Sequence, residues 1–122
     1  MSFSWKNEFS YDYMEEADIL EVFFQDGEAN SAVEIAEDVT LRFNHELAQP
    51  MSLIINNYTY HVEPGQFGPR GFHINLERFP TTTRETILRI IQQSPVNQFI
   101  KMLTYTEASE DKVIPIASIV PA

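Results

Sequence analysis

The chain has 122 residues, with 18 acidic and 8 basic side chains, no cysteine and one tryptophan. That length suits one domain with a real core. The missing cysteines exclude disulfides, thiolate metal sites, iron–sulfur clusters and a cysteine nucleophile. A net charge of −10 argues against a nucleic-acid partner, because phosphates would be repelled.

The opening residues Met1–Glu8 hold no apolar stretch of the secretory kind. The longest apolar run, Val113–Val120, is interrupted by Pro115 and Ser118 and falls far short of the ~20 residues that span a bilayer. The expectation is a soluble, bacterial-type cytoplasmic protein with no membrane partner. Absence of cysteine fits a reducing compartment.

The charge is uneven. Residues 1–63 carry thirteen acidic groups against Lys6 and Arg42, whereas residues 64–122 carry five acidic and six basic groups. The boundary falls at the Gly/Pro-rich stretch Pro64–Gly71. One domain over residues 1–122 is expected: an acidic β-rich half (1–63), a loop (64–80), then a helix and a C-terminal hairpin (81–122). Carboxylates on strand edges keep like edges apart, which is the default explanation of the acidity. A docking face for a basic protein is the functional one.

In chain order, Tyr11–Asp18 reads as a turn between short extended pieces. Ile19–Phe24 reads as a strand with Leu20, Val22 and Phe24 on one face. Gln25–Asn30 is a turn cluster centred on Asp26-Gly27. Ser31–Ile35 is a short strand and Ala36–Asp38 a polar break. Val39, Leu41 and Phe43 then alternate with Thr40, Arg42 and Asn44, the clearest period of two in the chain. His45–Pro50 is a loop and Met51–Asn56 the next strand. Tyr58, Tyr60 and Val62 alternate with Thr59 and His61, which predicts extended chain running to Glu63. The half is expected to be an antiparallel meander of three to five strands.

Thr82 and Glu85 form a capping-box pattern just after Pro80. Ile87, Leu88, Ile90 and Ile91 make an apolar stripe, and Ser94-Pro95 ends the helix. Such a helix is too short to persist alone and must pack on the sheet. Phe99–Tyr105 and Val113–Ile119 read as strands joined by a turn at Glu107–Lys112. Pro115 cannot donate a ladder hydrogen bond, so the last strand is placed at an edge. The fold class is α+β: an antiparallel sheet, one packed helix and a C-terminal hairpin.

The segments Tyr11-Asp12, Glu16–Leu20, Val33–Ile35, Val39–Phe43 and Leu53–Ile55 resemble a short uncharacterised bacterial family, a domain of unknown function (DUF). The resemblance covers about residues 9–56. This sequence differs in an extra residue within Tyr13–Glu16 and in Pro50-Met51-Ser52 where the family opens its last strand with glycine. The resemblance implies a small β-rich domain paired with a protein partner in an antitoxin-like arrangement. It assigns no functional residues.

The chemistry motifs are sparse. His45–Gln49 approaches the zinc-protease helix motif, but Gln49 stands where the second histidine must be. The histidines His45, His61 and His73 are widely spaced, and no metal is expected. The acidic run Asp12, Glu15, Glu16 and Asp18 lacks the glycine of a calcium loop and reads as a solvated turn. No Gly-x-Ser-x-Gly elbow occurs, and no carboxylate pair is singled out. No catalytic residue and no cofactor are assigned.

Gly65, Gly68 and Gly71 lack the Lys–Ser/Thr and following helix of a phosphate cradle. The loop around them still combines aromatics with Arg70 and His73, the two candidate ligand-binding residues. The expected function is a non-enzymatic protein-interaction or assembly module, most simply a homo-oligomer, given fifteen aromatic residues and sheet edges to cover. The alternatives are an antitoxin-like partner of a basic protein and a small enzyme of unfamiliar type.

Overall fold

The computed structural model describes residues 2–4, 10–25, 28–63, 71–104 and 116–120. It holds a six-stranded antiparallel sheet, built from β1 (Ser2–Ser4), β2 (Ser10–Met14), β3 (Ile19–Phe23), β4 (Ser31–Ala36), β5 (Val39–Asn44) and β6 (Gln49–Asn56). The spatial order is β1-β2-β3-β6-β5-β4. Two consecutive meanders, β1–β3 and β4–β6, are therefore joined where β3 pairs with β6. A short helix α1 (Tyr58–Val62) follows. A second, three-stranded sheet has β9 (Ile116–Ile119) between β7 (Phe72–His73) and β8 (Ile100–Thr104). Helix α2 (Thr81–Gln92) and one 3-10 turn at Val96–Gln98 complete the α+β fold.

The period of two sets the core. Val39, Leu41 and Phe43 are 0% exposed, while Arg42 between them faces solvent. Leu20, Val22 and Phe24 turn inward as the alternation predicts, and so do Met51, Leu53 and Ile55. Ile87, Ile90 and Ile91 of α2, with Ile100, Ala117 and Ile119 of the second sheet, join them in one core. The Phe24 and Phe99 rings meet at 5.9 Å. Burial on this scale, not helix propensity, holds the twelve residues of α2 in place.

Several local expectations change. The segment expected to stay extended to Glu63 is α1. Asn57, in the left-handed conformation (φ 53°), turns the chain away from β6, and the helix starts there. The Thr82–Glu85 capping box does not form. Pro80 takes the N-cap position with no side-chain cap, and its carbonyl accepts the Arg84 N–H at 3.0 Å. Thr82 lies inside the helix, where its carbonyl accepts from the Thr86 hydroxyl.

The strand carrying Ile116–Ile119 is central, not at an edge, because β7 pairs on its far side. Pro115 itself lies outside the described residues, as do Asp26-Gly27, residues 64–70 and the turn at Glu107–Lys112. The loop expected through residue 80 contributes β7 and two core residues, Ile74 and Leu76. Phe99 precedes β8 with helical torsions rather than opening it.

The Glu34–Ile35 end of the β4 border is covered. Asn75 N–H donates to the Ile35 carbonyl at 2.9 Å, and Arg78 Nη2 donates to the Glu34 carbonyl at 2.6 Å. The Arg78 guanidinium also lies 4.5 Å over the Phe79 ring. These two strand carbonyls, which would otherwise help template another chain, are thus occupied.

Candidate functional site

Three turns meet at one end of the large sheet, and each turns on a non-glycine residue with positive φ: Asp18 (55°), Asp38 (73°) and Asn57 (53°). Asp and Asn tolerate this region because their side chains bond locally. Here the same side chains also tie the turns together. Asp18 accepts from the Tyr13 hydroxyl at 2.7 Å, the Thr59 hydroxyl at 2.7 Å and the Thr59 N–H at 3.2 Å. Its carbonyl accepts the Tyr58 N–H at 3.0 Å. A residue 41 positions away therefore caps α1, whose own N-cap side chain makes no capping bond.

Asp38 does the same on the neighbouring turn. It accepts from Asn57 Nδ2 at 3.1 Å, and its other oxygen lies 3.1 Å from His61 Nε2. An ionised carboxylate only accepts, so Nε2 carries the proton. His61 is 8% exposed. Its ring meets Tyr60 edge-on at 5.4 Å and Phe72 of β7 at 5.8 Å, which links α1 to the second sheet.

The electrostatics follow from this network. Burial opposes charge on Asp18, but the hydrogen bonds from the Thr59 and Tyr13 hydroxyls and the Thr59 amide outweigh it and hold its carboxyl below the usual range. The hydrogen bond to Asp18, then burial and the fields of Asp18 and Glu15, push the Tyr13 hydroxyl from 10.0 up to about 12. Folding thus favours neutral Tyr13. Its contribution is fully present below the unfolded value of about 10 and is lost as pH rises toward about 12. The Asp18 contribution has the opposite sense: present above the ordinary value of about 3.9, it is lost as pH falls through the lowered folded value. Absorbance at the tyrosinate band, wild type minus Tyr13→Phe, is expected to rise near pH 12. A midpoint near 10 would show that the Asp18 bond does not hold in solution.

The other histidines lie elsewhere. His45 sits in the turn at the opposite end of the sheet, where its N–H donates to Asn30 Oδ1 at 3.0 Å and Asn30 Nδ2 donates to the Glu46 carboxylate. In the same turn Ala48 also has positive φ (49°), without a polar side chain to ease it. His73 is exposed on β7, paired with Ile116. Arg70, its candidate partner, lies outside the described residues. Among the described residues no group of three or more His, Cys, Asp or Glu is arranged to hold a metal ion. A cleft of about 430 Å³ opens between the β6 start and the α2 end, lined by Phe24, Gln25, Pro50, Ile90, Gln93 and Ser94 among others, with no acid or histidine among the described residues of its wall.

The second feature is the outer face of the large sheet. Register places Asp12, Glu21, Ile54, Thr40 and Glu34 in one row across β2, β3, β6, β5 and β4. The next row holds Ser10, Phe23, Ser52, Arg42 and Ala32. Ile19, Phe23 and Ile54 are half-buried, yet among the described residues none belongs to the core or packs against it. Arg42 reaches Glu21 at 3.8 Å across β6, a surface pair worth under about 1 kcal/mol. Ser52 is 1% exposed, and its hydroxyl has no hydrogen-bond partner among the described residues.

Sequence reasoning treated Asp18, Asp38, Asn57 and His61 as unrelated. The usable signal was Asp and Asn at turn positions, the residue types that accept left-handed torsions. The outer face was legible in Thr40, Arg42 and Asn44, which alternate with the core row, and in the acidity of the first half. No protein-family model, curated protein or solved structure matches this chain. No helix among the described residues is long and apolar enough to cross a membrane.

Proposed function

We propose that this chain is a non-enzymatic protein-interaction or assembly module working through the outer face of its large sheet. The observation that carries the reading is the apolar trio Ile19, Phe23 and Ile54, held outside the core around Glu21, with Asp12 and Glu34 further out on either side. Apolar side chains interspersed with and flanked by charged ones are the composition of a non-obligate interface. The polar network around Asp18 and Asp38 is spent on tying turns together, which favours a structural role for His61 over a catalytic one.

We propose an antitoxin-like pairing with a basic protein as its particular form. A cytoplasmic setting suits an acidic, cysteine-free chain. The occupant of the face is either a second copy or another protein.

The test is Ile54→Asp. In an extract of the cells that make it, the wild-type chain is expected to migrate well above its monomer mass of 14.1 kDa, and the variant at that mass. Circular dichroism should remain unchanged, because Ile54 contributes little to the core. A wild-type chain that migrates as a monomer would remove the proposal. Purified alone, the same measurement separates self-assembly from binding to another protein.

A further inference from the structure

We infer that the occupant of the outer face is a basic amphipathic helical segment of another protein, rather than a second copy of this chain. The inference rests on the interaction reading above and names the partner's chemistry. Its basis is charge and dimension together. The described outer face carries Asp12, Glu21 and Glu34 against the single cation Arg42, a net of −2. Two such faces stacked on each other would press like charges together, and each belongs to a chain of net charge −10. A surface of this sign selects a positive partner and speeds its arrival.

The apolar residues form a ridge rather than a plain. Ile19 and Phe23 lie on β3, and Ile54 lies beside them on β6. Four residues along a strand span about 14 Å. That is the length of about nine residues of α-helix. Across the strands, Asp12 and Glu34 stand four strand spacings apart, about 19 Å. A helix about 10 Å wide laid on the ridge leaves Asp12 and Glu34 on its two flanks and lies over Glu21, which stands between Ile19 and Phe23. Lysine or arginine side chains from its sides reach these carboxylates while their aliphatic stems cover the sheet.

Ser52 adds an independent sign. Its hydroxyl lies in the floor of this face, nearly inaccessible and unpartnered, between Phe23 and Arg42. Buried polar atoms are ordinarily satisfied. A lysine or arginine lying over the row would supply a donor to it and take over the weak pairing of Arg42 with Glu21.

The probe is a synthetic leucine/lysine peptide of about 18 residues, with leucine at helical spacing along one face. It is titrated into the isotope-labelled full chain and followed by amide chemical shifts. Two controls accompany it: a scrambled peptide of the same composition and a leucine/glutamate counterpart. Saturable shifts are expected at Glu21, Phe23, Thr40, Ser52 and Ile54. Binding should be about tenfold tighter than for the scrambled peptide and should weaken steeply with salt. The double variant E21K/E34K, folded by its own spectrum, should lose at least tenfold.

Equal binding of the scrambled peptide would reduce the effect to bulk charge and overturn the inference. So would shifts centred elsewhere, or equal binding of the leucine/glutamate peptide. A purified chain that dimerises through this face would overturn the helical basic partner while leaving the interaction reading intact. Failure of the Ile54→Asp test in extract would instead remove the reading itself.

Discussion

Replacing Phe43 by alanine is expected to cost about 3–5 kcal/mol, the range for an aromatic side chain removed from a packed core. Phe43 is among the largest fully buried side chains, and it sits where β5 and β6 shift register, opposite Pro50. Neighbouring strands cannot close on the space it leaves without giving up that register. A domain of this size has roughly 5–15 kcal/mol in total, so the variant should unfold at far lower urea or not fold at all. Arg42→Ala, the adjacent outward residue, should shift stability by less than about 1 kcal/mol. Equal effects of the two substitutions would refute the inward row of Val39, Leu41 and Phe43.

His61→Ala carries the second largest expected effect, about 2–3 kcal/mol. The loss combines a hydrogen bond to an ionised acceptor and two edge-on ring contacts. Asp38 stays partly solvated, so water meets some of the loss. His61→Gln keeps an N–H donor and should recover part of the stability. Urea unfolding of the three proteins measures this. If His61→Ala left stability unchanged, the ring would have no structural purpose, and a chemical role for the Asp38–His61 pair would become the better account.

The legible parts of the fold were those fixed by local pattern. Alternation placed Leu20, Val22, Val39, Leu41 and Phe43 inward, and the stripe Ile87–Ile91 placed α2 on the core. The illegible parts depend on partners far away in sequence. Tyr58–Val62 alternates like a strand, yet it coils because Asp18, across 41 positions, takes the N–H and hydroxyl of Thr59. β7 has two residues, too few to show any period. Pro115 suggested an edge, but pairing with β7 through Ile116 and Ala117 decides where the last strand sits.

The candidate site divides the same way. Acidity in residues 1–63 was visible as composition. Its arrangement around an apolar ridge needed the register of five strands. Of the two residues singled out for ligand binding, His73 stands exposed at the start of the second sheet, and Arg70 lies outside the described residues. The residues that cooperate, Tyr13, Asp18, Asp38, Asn57, Thr59 and His61, share no sequence spacing that marks a site.

The junction of β3 with β6 has a further consequence. Each three-stranded ribbon closes through neighbours in sequence, whereas this one ladder, Ile19 to Phe23 against Asn56 to Ser52, unites them. Among the described strand ladders it alone joins the two ribbons, so opening it would free both borders. The two borders so freed are rich in Leu, Ile and Val and match each other in register. Concentrated, half-opened copies would find each other's borders as readily as their own, so reciprocal exchange of ribbons is the characteristic error this architecture invites.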